Sequence, residues 1–138
     1  MTGFLIRTAD NQQIRFQFYQ TAAPITSDAF AQKLPFAEIF FHAKISGQEI
    51  WIDNAPVLDI IQENVSVFAE PGEIAIGPTN PSRNKIAGCM GIFYGEGILL
   101  DGGNIFGKVL EEDMHLLKTL GENIWRKGAQ KLYFEKMD

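Results

Sequence analysis

The sequence predicts a mainly β single domain over residues 1–138, built as a closed eight-stranded barrel with two helices. Three observations carry this prediction. Short runs of alternating apolar and polar residues recur along the chain and are separated by turn residues, as in antiparallel meanders. Two stretches, one early and one late, have helical spacing instead. Eight strands are a suitable number for a small barrel whose interior is filled by side chains.

Composition places the chain among ordinary globular proteins. Its 138 residues are 46% hydrophobic and 21% charged, which suffices for one core without disulfides or a structural metal. The formal net charge of −5 argues against non-specific nucleic-acid binding, and no apolar run approaches the length of a membrane span, so neither partner is expected. The lone cysteine, Cys89, cannot form an internal disulfide, and no cationic leader opens the sequence. We therefore expect a cytoplasmic protein.

The first two strands are predicted as a hairpin. The run FLIRTA is followed by Asp10-Asn11 and then by QIRFQFYQ. In the second run Ile14, Phe16 and Phe18 alternate with polar residues, which indicates a strand with one buried face.

Two helices follow from local signals. The first is predicted between Pro24 and Pro35, and Thr26 or Ser27 can cap it. The second is predicted over about 111–120, because acidic residues occupy its positive end and Gly121 is expected just past its last turn.

The segment AEIFFHAKISGQEIWID predicts another hairpin. If Ser46-Gly47 is a two-residue turn, His42 lies directly opposite Trp51. One face, expected in the core, then holds Ile39, Phe41, Ala43, Ile50 and Ile52. The other face holds Phe40, His42, Lys44, Glu49, Trp51 and Asp53. Glu49 is expected on a solvated charged surface with Glu38 and Lys44, as is usual for such residues.

Four further strands are predicted from the runs EIAIG, CMGIFYG, residues 104–110 and QKLYFEK. The segment 53–71 is the least regular, because Asn54, Pro56 and Asn64 interrupt any long element.

Several of these segments resemble cyclophilins in the same order along the chain. Residues 100–121, LDGGNIFGKVLEEDMHLLKTLG, are similar to the cyclophilin stretch in which LDG and FGKV precede a helix. The earlier segments that carry the resemblance are IRFQFYQTAAPITSDAF, the hairpin with Phe41-His42, Ile45 and Gly47, and GEIAIGPTNPSRN. The chain is more similar still to a bacterial and archaeal family of uncharacterised cyclophilin-like proteins. The shared features are here Ser46-Gly47, Trp51, 71–74, 93–95, Gly103-Asn104 and 120–130. The resemblance implies a cyclophilin-like barrel.

The residues that the resemblance associates with proline isomerisation are mostly replaced. The cyclophilin arginine falls on Ala43, which cannot donate a side-chain hydrogen bond, and pocket positions fall on Gln48, Glu49 and Trp51. A family histidine falls at or beside Asn104. A peptidyl-prolyl cis-trans isomerase or peptide-binding module is therefore only the alternative function, since sites must be argued residue by residue.

The preferred hypothesis is a small-molecule-binding protein or a metabolic enzyme. An imidazole beside an indole suits acid–base chemistry on a small carboxylate or amide, although both side chains could equally be ordinary packing residues. The loop 78–84 is either a connector or a pocket rim, in which Arg83 can hold a carboxylate. The candidate residues are His42 as the catalytic group, with Trp51, Arg83, Asn84, Tyr94 and Asn104 as ligand-binding residues.

No cofactor or metal is expected, because the sequence lacks phosphate-loop glycine patterns and ligand spacings such as HxH or CxxC. Cys89 has no local histidine partner and is expected to be a buried structural thiol. A third alternative is an assembly subunit, whose uncovered hairpin face with Phe40 and Trp51 forms a homo-oligomer interface.

Overall fold

The computed structural model describes residues 2–79 and 83–137, which form eight strands, two α-helices and one 3₁₀ turn. The strands are β1 (Gly3–Arg7), β2 (Gln13–Phe18), β3 (Phe36–His42), β4 (Gly47–Ile52), β5 (Val65–Phe68), β6 (Glu73–Ile76), β7 (Met90–Val109) and β8 (Gln130–Lys136). The helices are α1 (Pro24–Ala31) and α2 (Met114–Lys127), and the 3₁₀ turn Glu111–Asp113 leads into α2.

Six of the strands close into an antiparallel barrel. Their order is β2-β1-β8-β3-β4-β7, and the ring closes because β7 also pairs with β2. Strands β5 and β6 lie outside this ring and pair with β7. Strand β6 contacts both ends of β7, so that Ile74 is opposite Gly107 on one side and Ile92 on the other. The predicted mainly β closed barrel with two helices is confirmed, but the ring contains six strands rather than eight.

Aromatic side chains fill the interior of the barrel. The alternation read in β2 is confirmed, since Ile14, Phe16 and Phe18 are all buried. Helix α1 adds Phe30 to this core, where its ring centroid lies 5.1 Å from that of Phe4 and 4.9 Å from that of Phe106. Amphipathic strands with one apolar face therefore supply the barrel lining, and α1 completes it.

The β3–β4 hairpin differs from its prediction by one residue of register. Phe41 pairs with Trp51 and His42 with Ile50, so His42 and Trp51 do not face one another. A shift of one residue moves every side chain of a strand to the opposite face of the sheet. Ile39 and Phe41, expected in the core, are accordingly 52% and 50% exposed, whereas Phe40 is fully buried. The prediction was correct for β4, where Ile50 and Ile52 are both buried.

The register differs because Ser46 is not at the tip of a two-residue turn. Ser46 is buried, and its hydroxyl donates a hydrogen bond to the Glu49 carboxyl. Its carbonyl accepts a hydrogen bond from the Ile98 amide at 2.8 Å, which holds it against β7. The last backbone bond of the hairpin joins Ala43 N to Glu49 O, so the connection is longer than the sequence suggests.

Helix α1 is capped by a residue distant in sequence. Neither Thr26 nor Ser27 acts as the predicted side-chain cap, because the helix already begins at Pro24. The Glu63 carboxylate instead accepts hydrogen bonds from Thr26 N at 2.7 Å, Thr26 Oγ1 at 2.8 Å and Ile25 N at 3.3 Å. Burial opposes ionisation, but these bonds outweigh it and lower the pKa of Glu63.

Replacing Glu63 by alanine is expected to lower the free energy of unfolding by about 1 kcal/mol, since it removes the acceptor for the first amides of α1. Urea unfolding followed by circular dichroism measures this change. Glu96→Ala, at an exposed position, is the matched control and is expected to have little effect. Equal losses in the two variants would contradict the capping role.

Helix α2 extends beyond its predicted end. It continues through Gly121 to Lys127 and is followed by Gly128, whose φ of +105° suits the glycine that ends a helix. Gly121 does not end the helix but lies against β7, where a Cβ at this position would overlap the Tyr94 ring. The glycine allows α2 to approach the barrel closely.

Candidate functional site

An apolar cavity lies on the face of β4 that points away from the main core. Along β4, Ile50 and Ile52 enter the core, whereas the alternate residues Glu49 and Trp51 face the cavity. Its volume is about 580 Å³. The lining is mainly apolar and comprises Phe41, His42, Ala43, Lys44, Ile45, Ser46, Glu49, Trp51, Asp53, Ala75, Lys85, Ile86, Cys89, Met90, Gly91, Leu99 and Leu100. Cavities of this size and character commonly bind small molecules.

A second, smaller hydrophobic cluster supports one side of this cavity. Ala75 from β6, Ile86 and Leu99 line the cavity and pack with Phe93 and Ile105. The cavity is therefore formed between the outer surface of the barrel and the segment that precedes β7.

Glu49 is the buried charged group of this wall. Glu49 is 7% exposed, and Ser46 Oγ donates a hydrogen bond to its Oε1. Among the residues that the structure describes, none donates to Oε2, and this oxygen is not fully enclosed. Gly91 lies directly beneath the carboxyl, because a Cβ at position 91 would overlap Glu49 Oε2. The glycine in β7 thus makes the space that the carboxyl occupies.

Burial raises the pKa of Glu49 to about 7, while the hydrogen bond from Ser46 acts in the opposite direction. Near neutral pH the carboxyl is therefore present in both its protonated and its ionised form. Such a group can donate or accept a proton, and pKa shifts of this kind concentrate at functional sites.

Cys89 borders the same cavity but is not suited to act as a nucleophile. Burial raises the pKa of its thiol, and the negative charges of Asp53 and Glu49 raise it further. The thiolate is the reactive form of cysteine, so Cys89 remains a largely unreactive thiol at neutral pH.

His42, the predicted catalytic residue, has both ring nitrogens hydrogen-bonded within the protein. Nδ1 donates to the Ala43 carbonyl at 2.8 Å, since a carbonyl can only accept. Nε2 shares a hydrogen bond of 2.7 Å with the Tyr94 hydroxyl, and burial raises the pKa of Tyr94, which keeps this hydroxyl protonated. The Trp125 ring packs edge-on against the imidazole at 4.7 Å. His42 borders the cavity, yet its catalytic role stays a prediction.

The other predicted ligand-binding residues are dispersed. Arg83 and Asn84 border a separate, open pocket of about 570 Å³, and residues 80–82 of the same loop lie outside the described residues. The Asn84 side chain donates to Gly102 O at 3.0 Å and accepts from Ile86 N at 2.8 Å.

Asn104 is 1% exposed; its amide donates to Thr26 Oγ1 at 2.7 Å and its oxygen accepts from Asn64 N at 3.0 Å. The cavity therefore brings Trp51 together with Glu49, but not with Arg83, Asn84, Tyr94 or Asn104.

Comparison with known proteins identifies a family. Residues 7–135 match the family model described as protein of unknown function (DUF3830). The chain belongs to this family. No curated protein matches the sequence of this DUF3830 chain.

Two solved structures share the fold of this DUF3830 protein. McbB, whose structure contains bound tryptophan, superposes with a TM-score of 0.79 at 14% identity, covering 97% of this chain and 44% of McbB. The chain thus spans less than half the length of McbB. The hypothetical protein AF2241 from Archaeoglobus fulgidus superposes with a TM-score of 0.66 at 19% identity, covering 98% of this chain and 94% of AF2241. At these identities the likeness concerns the fold.

Sequence reasoning missed Glu49 as a functional residue of this DUF3830 chain. It was expected on a solvated surface, and that prediction was wrong because the carboxyl is buried. The available signal was Gly91, since a glycine inside a strand often marks the close approach of another group.

Metal-binding clusters and membrane-spanning helices are both absent from the described ranges, 2–79 and 83–137. They contain no group of three histidine, cysteine, aspartate or glutamate side chains placed to hold a metal ion. None of the helices in these ranges is both long enough and apolar enough to cross a membrane.

Proposed function

We propose that this DUF3830 protein binds a small molecule with a flat apolar body in the cavity bordered by Trp51, and that Glu49 is the polar anchor. The observation that carries the proposal is the buried Glu49 carboxyl, whose Oε2 has no donor among the described residues. An ionised carboxylate oxygen that faces a mainly apolar cavity is poorly solvated, so a ligand that supplies a donor gains binding energy. Apolar walls with a few placed polar groups are typical of ligand sites.

Trp51 supports the flat, apolar character of the ligand. It lies on the same face as Glu49, is partly buried and borders the cavity, so its ring offers a flat surface for stacking. McbB, which shares this fold over 44% of its length, forms a complex with tryptophan, and this supports an aromatic compound as a first ligand to test. Indole, which is flat, aromatic and uncharged, is therefore a suitable first probe.

Replacing Trp51 by alanine is expected to weaken indole binding about tenfold, because the variant loses one stacking surface of the cavity. Isothermal titration calorimetry measures the dissociation constant. The melting temperature is expected to change little, since Trp51 lies outside the main core. Trp125→Ala is the matched control, because Trp125 is the other tryptophan, is 62% exposed and does not line the cavity.

Absence of indole binding to the wild-type protein would overturn the proposal. Equal weakening by the two tryptophan variants would also contradict it, because only Trp51 borders the cavity.

We further propose that acid–base chemistry at this site, where it occurs, runs through Glu49. Its carboxyl changes protonation near neutral pH and has an oxygen free of protein donors among the described residues. The substrate class expected from the sequence, a carboxylate or amide, depended on Arg83 and His42 together, and of these His42 borders the cavity whereas Arg83 borders a different pocket. The relation to cyclophilins, isomerase activity, a cytoplasmic location and homo-oligomer formation stay predictions.

A further inference from the structure

We propose that the cavity binds molecules in which the flat apolar body carries a protonated nitrogen, an amine or an amidine, and that this nitrogen docks on Glu49 Oε2. This inference rests on the proposed function and narrows its ligand class to cations.

The Glu49 carboxyl has fewer hydrogen-bond donors than it can accept, and a cation with N–H groups can supply the missing ones. An ionised carboxylate accepts several hydrogen bonds, and among the described residues Ser46 Oγ alone donates to this one. None of the salt bridges in the described part of the chain includes Glu49. An ionised group in an apolar wall needs both donors and a compensating charge. An ammonium or amidinium group supplies both at once.

The remaining titratable groups around the cavity do not neutralise Glu49. His42 belongs to β3, and Lys44 belongs to the connection that follows it. Asp53 follows β4, and the segment before β7 contributes Lys85 and Cys89. Asp53 adds negative charge, and burial raises the pKa of the Cys89 thiol. Both His42 nitrogens are hydrogen-bonded to Ala43 and Tyr94 rather than to Glu49.

The two lysines lie at the exposed border of the cavity. Both Lys44 and Lys85 are exposed, so water and salt screen their charges. Hydrogen bonds from Lys85 N and Gly102 N lower the pKa of Asp101, and the charge of Lys85 lowers it further. Lys85 therefore interacts with Asp101 as well as bordering the cavity. The buried part of the site is therefore anionic when Glu49 is ionised.

Trp51 favours the same ligand class. The face of an indole ring attracts cations, and Trp51 lies two residues from Glu49 on the same face of β4. A flat molecule stacked on this ring can place a nitrogen substituent towards the carboxyl. Charge-assisted hydrogen bonds of this kind are shorter and stronger than neutral ones.

The test compares tryptamine with tryptophol, which share the indole ring and the two-carbon tail but end in an ammonium and a hydroxyl group. At pH 8 the wild-type protein is expected to bind tryptamine about ten- to a hundredfold more tightly, as measured by calorimetry. Below about pH 7 this preference is expected to fall by up to about tenfold per pH unit, as Glu49 becomes protonated.

Two variants separate the charge from the shape of the site. Glu49→Gln is nearly isosteric and keeps an acceptor oxygen, and it is expected to abolish the tryptamine preference and its pH dependence. Ser46→Ala retains the carboxyl and is expected to keep the preference. Its pH midpoint is expected to move upward, since the hydrogen bond from Ser46 lowers the pKa of Glu49.

Three results would overturn the inference while leaving small-molecule binding intact. They are equal or tighter binding of tryptophol at pH 8, a tryptamine preference that survives Glu49→Gln, and a preference that grows as the pH falls. The last result would mean that the ammonium group gains nothing from ionised Glu49. If the wild-type protein binds neither compound, the proposed function fails and the inference fails with it.

Discussion

Replacing Glu49 by glutamine is expected to stabilise the protein by about 3 kcal/mol at pH 8, against the usual trend for substitutions at a buried polar residue. In the folded protein the pKa of Glu49 is about 7, and the ordinary value for the unfolded chain is 4.5. Each pKa unit of this difference corresponds to about 1.4 kcal/mol of stability that the folded protein loses when Glu49 is ionised. Glutamine fills the same space without a charge.

The pH dependence identifies the cause of this stabilisation. Between pH 4.5 and 7 the folded state holds a proton that the unfolded chain has released, so wild-type stability falls as the pH rises through this window. Above about pH 7 the loss is complete, and below 4.5 it is absent. Urea unfolding gives the free energy of unfolding of both proteins from pH 4 to pH 8. The excess stability of Glu49→Gln over the wild type is expected to be near zero at pH 4 and to grow as the pH rises.

Glu96→Gln is the control for this experiment, because it makes the same chemical change at an exposed position of β7. Its stability is expected to follow that of the wild type across the pH range. A constant difference between Glu49→Gln and wild type at all pH values would show that charge burial is not the cause.

Replacing Gly121 by alanine is expected to lower the free energy of unfolding by about 3 kcal/mol. In an exposed helix interior this substitution normally stabilises by about 1 kcal/mol, because alanine is the better helix former. Here the added Cβ would overlap the Tyr94 ring, so α2 must move away from β7 or the ring must leave its position. Tyr94 also forms the hydrogen bond with His42 Nε2, which such a movement would disturb. Chemical unfolding measures the loss.

A double-mutant cycle tests whether the clash with Tyr94 is responsible. Tyr94→Ala removes the ring, and Gly121→Ala is then expected to cost much less in that background than in the wild type. Glu122→Ala, at the next and exposed position of α2, controls for the helix itself. Equal costs of Gly121→Ala in both backgrounds would place the strain elsewhere.

Local patterns predicted those elements that local chemistry determines. Alternation, turn residues and proline positions are visible within about ten residues of sequence. They were sufficient to predict the β1–β2 hairpin, β6, β8 and the first helix. The end of α2 was misplaced, since Gly121 reads as a helix terminus unless its contact with Tyr94, 27 positions earlier, is known. Gly128 is the residue that follows the helix.

The candidate site was predicted only in part, because it depends on contacts between distant segments. Trp51 was correctly expected outside the core. Glu49 was not recognised, since its burial depends on Gly91 in β7 and on the segment before that strand. The pairing of His42 with Trp51 failed because a two-residue turn was inferred from Ser46-Gly47, and β3 was thereby assigned to the wrong faces.

Strand β8 has a consequence for how the protein folds. It lies between β1 and β3, and its pairing joins Phe4 to Lys136, residues from opposite ends of the described chain. During synthesis β1 and β3 emerge long before β8, so each carries an unpaired edge until the last described strand arrives. Closing a contact over so long a stretch of sequence is slow. Folding is thus completed late, and a nascent chain without β8 exposes two edges that can associate with other molecules.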